Sequence, residues 1–265
     1  MPVPVHLGCF RPGGDGEDTL ELRLPDELIA LLAGETPTTG SGDVEATARL
    51  APTDEEIDDG TDDGSPSLAD GSALDGDLLD RVGDWGPTVT PVGLFHLVPV
   101  RLDRDLPLIT RWMNDPAIAA FWNLAGAGSR TEDHLRAQLT GDGRSVPCIG
   151  MLDGTPMSYW EIYRADLDPL ARHYPARPHD TGIHLLIGGV ADRGRGIGSA
   201  LLRSVADLVL DHRPACVRVV AEPDLRNTPS IAAFLNAGFR FAEEVDLPAK
   251  RAALMIRDRS LRDLL

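Results

Sequence analysis

Residues 183–202 read IHLLIGGVADRGRGIGSALL, and this stretch decides the fold. It opens as an apolar run of strand type, crosses a glycine- and arginine-rich loop and continues as an apolar helix. Gly194, Gly196 and Gly198 leave the backbone N–H groups of the loop unobstructed by side chains. The helix that follows adds its unpaired N-terminal donors and the positive end of its dipole. Arg193 and Arg195 can add charge-assisted hydrogen bonds, so the segment reads as a pyrophosphate cradle. A Walker loop requires GK[ST] after its second glycine, and Ile197, Gly198 and Ser199 do not supply it. A dinucleotide fingerprint requires a third glycine within the first βαβ unit, and GRGIGS lies about two-thirds along the chain. A glycine-rich helix start without a ligand is the remaining alternative.

Outward from the loop the text is regular. Upstream lie a strand (LFHLVPVRL, 94–102), an amphipathic helix ending before Pro116, a second helix (RTEDHLRAQL, 130–139) and two strands, VPCIGML and PMSYWEIYRA. An irregular insertion, 166–182, precedes the strand of the decisive stretch. Downstream come the strand VRVVAEP, the helix NTPSIAAFLNAG with a glycine stop, and two last strands, RFAEEVDLP and RAALMIRDR. This order predicts an α/β fold, a mixed central sheet with helices on both faces.

The chain has 265 residues and a formal net charge of −17. That acidity excludes a duplex nucleic-acid binder, which needs a basic face. It is also unevenly placed: residues 35–80 hold 14 acidic residues against Arg49, so this stretch carries −13 and the rest only −4. The expected division is a small β-rich strand/helix extension over 1–34, an acidic flexible linker over 35–80, and the main domain over 81–265. A short helix is expected within DLLDRVGDW, 77–85. Cys9, Cys148 and Cys216 are odd in number and widely spaced, which predicts neither a disulfide scaffold nor a metal site. With no signal-like start and no long apolar run, the expectation is a cytoplasmic protein without a membrane, a monomer or homodimer.

Arg193-Gly-Arg-Gly196-Ile-Gly198 resembles the coenzyme A pyrophosphate motif of the GCN5-related N-acetyltransferases (GNAT), and the element order resembles that fold. The flanking segments HLLIG, AEPDLRNTPSIAAFLNAGF and LPAKRAALMIRDR resemble the siderophore-biosynthesis acyltransferases, of the aerobactin-type hydroxylysine and mycobactin lysine kinds. The resemblance runs from about Leu94 to the C-terminus. It implies a sheet splayed beside the strand 183–189, where backbone around Leu186 and Ile187 receives the pantetheine arm of acetyl-CoA or another acyl-CoA. The loop Arg193, Gly194, Arg195, Gly196, Ile197, Gly198 and Ser199 takes the pyrophosphate, and Asn227 bonds the pantetheine. It also implies His184 as base or proton shuttle, its imidazole near an ordinary pKa of about 6.5, with Asp224 as its partner. A buried structural histidine and a helix-capping aspartate are the alternatives for these two.

Five of the 13 aromatic residues fall in FWN (Phe121, Trp122) and YWEIY (Tyr159, Trp160, Tyr163), segments that border the acceptor in the family. Core packing is the alternative. Glu161 and Trp160 are adjacent on a strand and face opposite ways, so one of them faces the pocket. His173, Tyr174 and Arg177 of the insertion could reach an acceptor carboxylate. Lys250, the chain's single lysine, is equally an acceptor or CoA-phosphate contact and an exposed charge, and Arg251 is no better decided.

The function implied is acylation, without a metal, of a small hydroxylamine or amine: N6-hydroxylysine, N5-hydroxyornithine or N-hydroxycadaverine, giving a siderophore hydroxamate. Aminoglycoside 6′-acetylation and a non-catalytic CoA-sensing or scaffold domain are the alternatives.

Overall fold

Alternating apolar positions build the centre of the molecule. The computed structural model describes residues 79–264. The expected extension over 1–34 and all but the end of the acidic linker lie outside these residues. Eight strands are described: β1 (Thr88–Thr90), β2 (Gly93–Pro99), β3 (Ser145–Leu152), β4 (Thr155–Arg164), β5 (Thr181–Ile187), β6 (Arg218–Ala221), β7 (Arg240–Leu247) and β8 (Lys250–Asp258). They form one sheet in the order β1-β2-β3-β4-β5-β6-β8-β7. Five helices accompany them: α1 (Leu102–Met113), α2 (Pro116–Trp122), α3 (Gly128–Leu139), α4 (Ile197–His212) and α5 (Thr228–Asn236). The expected mixed α/β sheet is therefore the observed one. No helix among the described residues is long and apolar enough to cross a membrane.

Helices cover both faces. Ile109, Trp112 and Met113 of α1, Ile118 of α2 and Leu135 of α3 pack with Ile149, Tyr159 and Leu186 of the sheet. α4 lies on the opposite face, where Gly198 approaches Ile187. Its Leu201, Leu202, Val205, Ala206, Val209 and Leu210 repeat at helical spacing and are all buried. Each such leucine or valine contributes roughly 1.5–3 kcal/mol relative to exposure.

Two elements depart from the expectation. Pro116 opens α2 as well as following α1, because Asp115 caps the new helix by accepting from Ala117 N at 2.9 Å. Asn123 then ends α2 in the left-handed conformation, φ 51°. The short helix expected around 77–85 is a 3-10 turn over Leu79–Trp85.

The feature that shapes the site is a fork. β4 and β5 pair antiparallel along their length, from Ser158↔Ile187 to Arg164↔Thr181. β5 and β6 run parallel and pair only at Thr181↔Val219 and Gly182↔Val220. Beyond Gly182 the two strands part.

Candidate active site

The cross-strand pair Glu161↔His184 sits at the mouth of that fork. Side chains at i and i+2 of a strand share a face, so Tyr159, Glu161 and Tyr163 point the same way as His184 and Leu186. Glu222, just beyond β6, continues the alternation from Val220 and arrives on that face too.

Both nitrogens of His184 meet carboxylates. Nδ1 lies 2.8 Å from Glu161 Oε2 and Nε2 lies 2.5 Å from Glu222 Oε1. The second oxygen of Glu161 receives His134 Nε2 at 2.5 Å, Gln138 Nε2 at 2.9 Å and the Tyr159 hydroxyl at 2.9 Å. The second oxygen of Glu222 receives the Tyr163 hydroxyl at 2.7 Å, and Lys250 Nζ lies 3.5 Å from Oε1. The His184 ring is flanked by Tyr163 and Trp122, with centroids 4.8 and 6.0 Å away.

The electrostatics follow from this geometry. Burial opposes a charge on His184, but the Glu222 charge and the hydrogen bonds to both carboxylates outweigh it and raise the pKa to about 10. Burial likewise opposes the charge on Glu222, and His184⁺, Lys250 and the Tyr163 hydroxyl overcome it, lowering the pKa to about 2. Glu161 is held well below the usual carboxylate range by His134 and His184 despite its burial. The expected imidazole of ordinary pKa is thus corrected: His184 is an imidazolium clamped between two carboxylates.

Several expected residues are also corrected. Asp224 does not partner His184; its carboxylate bonds the Arg226 guanidinium at 2.7 and 2.9 Å and the Arg226 backbone N–H. It still lines the cavity. Trp160 does not face the cavity: it is fully buried on the opposite face, its Nε1 donating to Ser158 Oγ at 2.8 Å and its ring edge-on to Phe95. Glu161 is the one that faces the pocket. Tyr163 is buried and braces His184 and Glu222 without lining the cavity. Its ring lies over Gly182, where a Cβ would come within 2.0 Å of Cζ. Of the insertion, Tyr174 is buried, bonding Asp180 and packing against Arg218, while His173 and Arg177 are exposed away from the cavity.

Two cavities meet at the fork. The first, about 260 Å³, holds His184, Glu161, Glu222, His134 and Lys250 in its wall. The second, about 750 Å³, follows Leu186 and Ile187 to Arg193, Gly194, Gly196, Gly198 and Ser199. Phe121, Trp122, Leu185, Asn227, Ser230 and Phe234 line both. Asn227 also caps α5, accepting from Ser230 N at 3.3 Å.

The glycine loop fits an anionic group. Gly194 and Gly196 have φ of 71° and 76°, and a Cβ at either would meet nothing within 4 Å, so the backbone donors border open space. Gly196 is the N-cap of the 16-residue α4. Arg193 serves differently from the expectation. Its guanidinium bonds Asp115 at 3.1 and 3.2 Å and the carbonyls of Ile187 and Gly188 at 2.9 and 3.0 Å, tying α2 to the end of β5. Arg195 is exposed and Ile197 half-buried, and neither lines the cavity. Among the described residues no group of three or more His, Cys, Asp or Glu is arranged to hold a metal ion.

Sequence reasoning missed Glu222, His134 and Gln138. The period-two alternation of β6 was the available signal for Glu222. For His134 and Gln138 the only signal was their i, i+4 spacing on one helix face.

The model of the acetyltransferase (GNAT) domain matches residues 101–247. The chain is similar to "Lysine N-acyltransferase MbtK" of Mycolicibacterium paratuberculosis, 38% identical over 168 residues, covering 62% of this chain and 76% of that protein. It is 37% identical over 155 residues to "N(6)-hydroxylysine O-acetyltransferase" of Escherichia coli, covering 58% of this chain and 49% of that protein. Among solved structures, an uncharacterized protein of Bacillus halodurans matches with a TM-score of 0.64 at 31% identity, covering 68% of this chain and 92% of that one.

Proposed function

The chain belongs to the GNAT acetyltransferase family, and from that premise we propose that it moves an acyl group from acyl-CoA to an N-hydroxylated diamine or amino-acid side chain. N6-hydroxylysine, N5-hydroxyornithine and N-hydroxycadaverine are the acceptors in view, and the product is a hydroxamate of the siderophore type. The larger cavity takes the acyl-CoA, its pyrophosphate at the Gly194–Gly198 backbone and its pantetheine arm along Leu186, Ile187 and Asn227. The smaller cavity takes the acceptor.

One observation carries the acceptor class: the charge at the fork is already balanced. Two buried carboxylates, Glu161 and Glu222, face the His184 imidazolium and the Lys250 ammonium, and Asp224 is neutralised by Arg226. Among the described residues lining this cavity, no carboxylate is left without a cationic partner for an alkylammonium to pair with, and burying an uncompensated charge is costly. A hydroxylamine nitrogen is far less basic than an alkylamine and arrives uncharged. The attacking nitrogen forms its bond to the thioester carbon, the carbon–sulfur bond breaks with CoA leaving as the thiolate, and the proton shed by the nitrogen is taken up by the Glu222 carboxylate in the cavity wall.

The test is a thiol-release screen of N-hydroxydiamines and N-hydroxy amino acids against several acyl-CoAs. Unmodified amines and aminoglycosides are the control set. Turnover confined to hydroxylamines is the expected result. Turnover with aminoglycosides alone would replace the reading, and acyl-CoA binding without turnover on any acceptor would favour the sensor alternative.

A further inference from the structure

Lys250, the chain's single lysine, opens β8 and stands in the wall of the smaller cavity. Its backbone is fixed there. Leu225 N donates to Arg251 O at 3.0 Å, Ala253 N donates to Pro223 O at 2.9 Å, and Asp224 pairs with Ala252. The start of β8 is thereby stitched to the segment that carries Glu222. Ala252 and Leu254 continue the alternation from Lys250 and are buried, while the Lys250 side chain is 26% exposed against 7% for Glu222.

Glu222 does not consume this ammonium. Its Oε1 has a short contact with His184 Nε2 at 2.5 Å, and its Oε2 accepts from the Tyr163 hydroxyl at 2.7 Å. Lys250 Nζ stands off at 3.5 Å, beyond the roughly 2.7–2.9 Å of a charge-assisted hydrogen bond. It balances the charge of Glu222 from a distance. Among the described residues Nζ makes no hydrogen bond, so none of its three donors is committed within the protein.

A half-buried ammonium with uncommitted donors selects an anionic group. Of the acceptors in view, N6-hydroxylysine and N5-hydroxyornithine carry an α-carboxylate, and N-hydroxycadaverine carries an ammonium at that end instead. The amino acids bring no net charge, because the α-ammonium travels with its own carboxylate. The diamine brings a charge of +1 to a wall already balanced and meets Lys250 as a like charge. The span also fits. An extended N6-hydroxylysine holds its hydroxylamine nitrogen and its carboxylate about 7 Å apart by ordinary bond lengths. With 3.5 Å between Nζ and Glu222, a nitrogen in hydrogen-bond reach of Glu222 and a carboxylate in reach of Lys250 can stand up to about 9 Å apart.

We propose that Lys250 reads the carboxylate of the acceptor, so that the acceptor class is an N-hydroxylated amino acid and not an N-hydroxylated diamine. The proposal rests on the acyl-transfer reading above and narrows it.

The experiment measures kcat/KM of wild type, Lys250→Met and Lys250→Arg with N6-hydroxylysine, its carboxamide and N-hydroxycadaverine, together with the KM for acetyl-CoA and melting temperatures. Wild type should favour N6-hydroxylysine over both analogues by about tenfold or more, the scale of a hydrogen bond between charged groups. Lys250→Met should lose that preference through a raised KM for N6-hydroxylysine, and Lys250→Arg should keep most of it. An effect of Lys250 exerted only through Glu222 would fall equally on all three acceptors, and an equal loss would overturn the proposal. A raised KM for acetyl-CoA alone would make Lys250 a donor contact and overturn it as well. Should Lys250→Met fail to fold, the wild-type comparison of N6-hydroxylysine with its carboxamide still decides, since equal use of the two excludes a carboxylate reader. No turnover on any hydroxylamine brings down the acyl-transfer reading itself, whereas turnover without preference for the carboxylate brings down this proposal alone.

Discussion

His184 Nε2 and Glu222 Oε1 are 2.5 Å apart, while Asp224, two residues further on, turns away to Arg226. Of the two carboxylates that follow β6, Glu222 is therefore the one that acts on His184, together with Glu161 across the strand pair. Glu222→Gln should lower the His184 titration from about 10 toward neutrality and reduce kcat by about 10²-fold or more. Asp224→Asn should leave the titration in place. Histidine NMR beside steady-state kinetics separates the two, and equal effects from both variants would contradict the assignment.

The same cluster gives stability a pH window. His184 has a raised folded pKa, so its contribution is complete below 6.5 and disappears as pH rises through about 10. Glu222 has a lowered one, so its contribution is complete above 4.5 and disappears as pH falls toward about 2. Glu161, Glu222, Lys250, Tyr163 and the more distant Asp168 all bear on the ring. The melting-temperature advantage of wild type over His184→Gln should shrink between pH 6.5 and 10. A difference independent of pH over that range would be inconsistent with a clamped imidazolium.

Gly182→Ala sets a methyl group against the Tyr163 ring, within 2.0–2.4 Å of three of its carbons. Overpacking of this kind costs typically about 1–3 kcal/mol. Calorimetry should record a melting temperature lower by several degrees, and turnover should fall because Tyr163 can no longer hold Glu222.

Gly196→Asp adds bulk and negative charge where the backbone donors of the cradle converge. A Cβ there meets nothing within 4 Å, so the fold should persist although φ of 76° disfavours most side chains. Titration calorimetry should find acetyl-CoA affinity reduced by about tenfold or more, the scale of about 1.4 kcal/mol. Unchanged affinity would remove the cradle from the donor site.

Deleting residues 40–76 removes most of the acidic stretch and none of the groups at the fork. We expect unchanged turnover and an unchanged melting temperature for residues 81–265. Loss of either would make the stretch structural.

The sheet and the glycine loop were legible because their signals are local. Alternation marks β4 and β5, and glycine spacing marks the loop after β5. The face of Glu161 was legible only as a choice against Trp160, since alternation separates neighbours without saying which side is the cavity. Tertiary pairing with His184 decides it. Glu222 lies inside the expected strand VRVVAEP, but alternation does not say which side of that strand is the cavity, and only its meeting with His184 across 38 residues decides it. His134 and Gln138 meet Glu161 across 27 and 23 residues, and nothing in a single sequence marks such a meeting. α2 is hidden in the sequence because Pro116 both stops α1 and starts the next helix.

That short helix ties the two cavities together. Its capping residue Asp115 is moored to Arg193 of the glycine loop, and its last residue Trp122 lies against His184 and Tyr159 at the smaller cavity. Seven residues at 1.5 Å each make a rod of about 10 Å between them. Any shift of this helix imposed from one cavity therefore reaches the other. Whatever factor one substrate imposes on the affinity of the other, the second returns to the first.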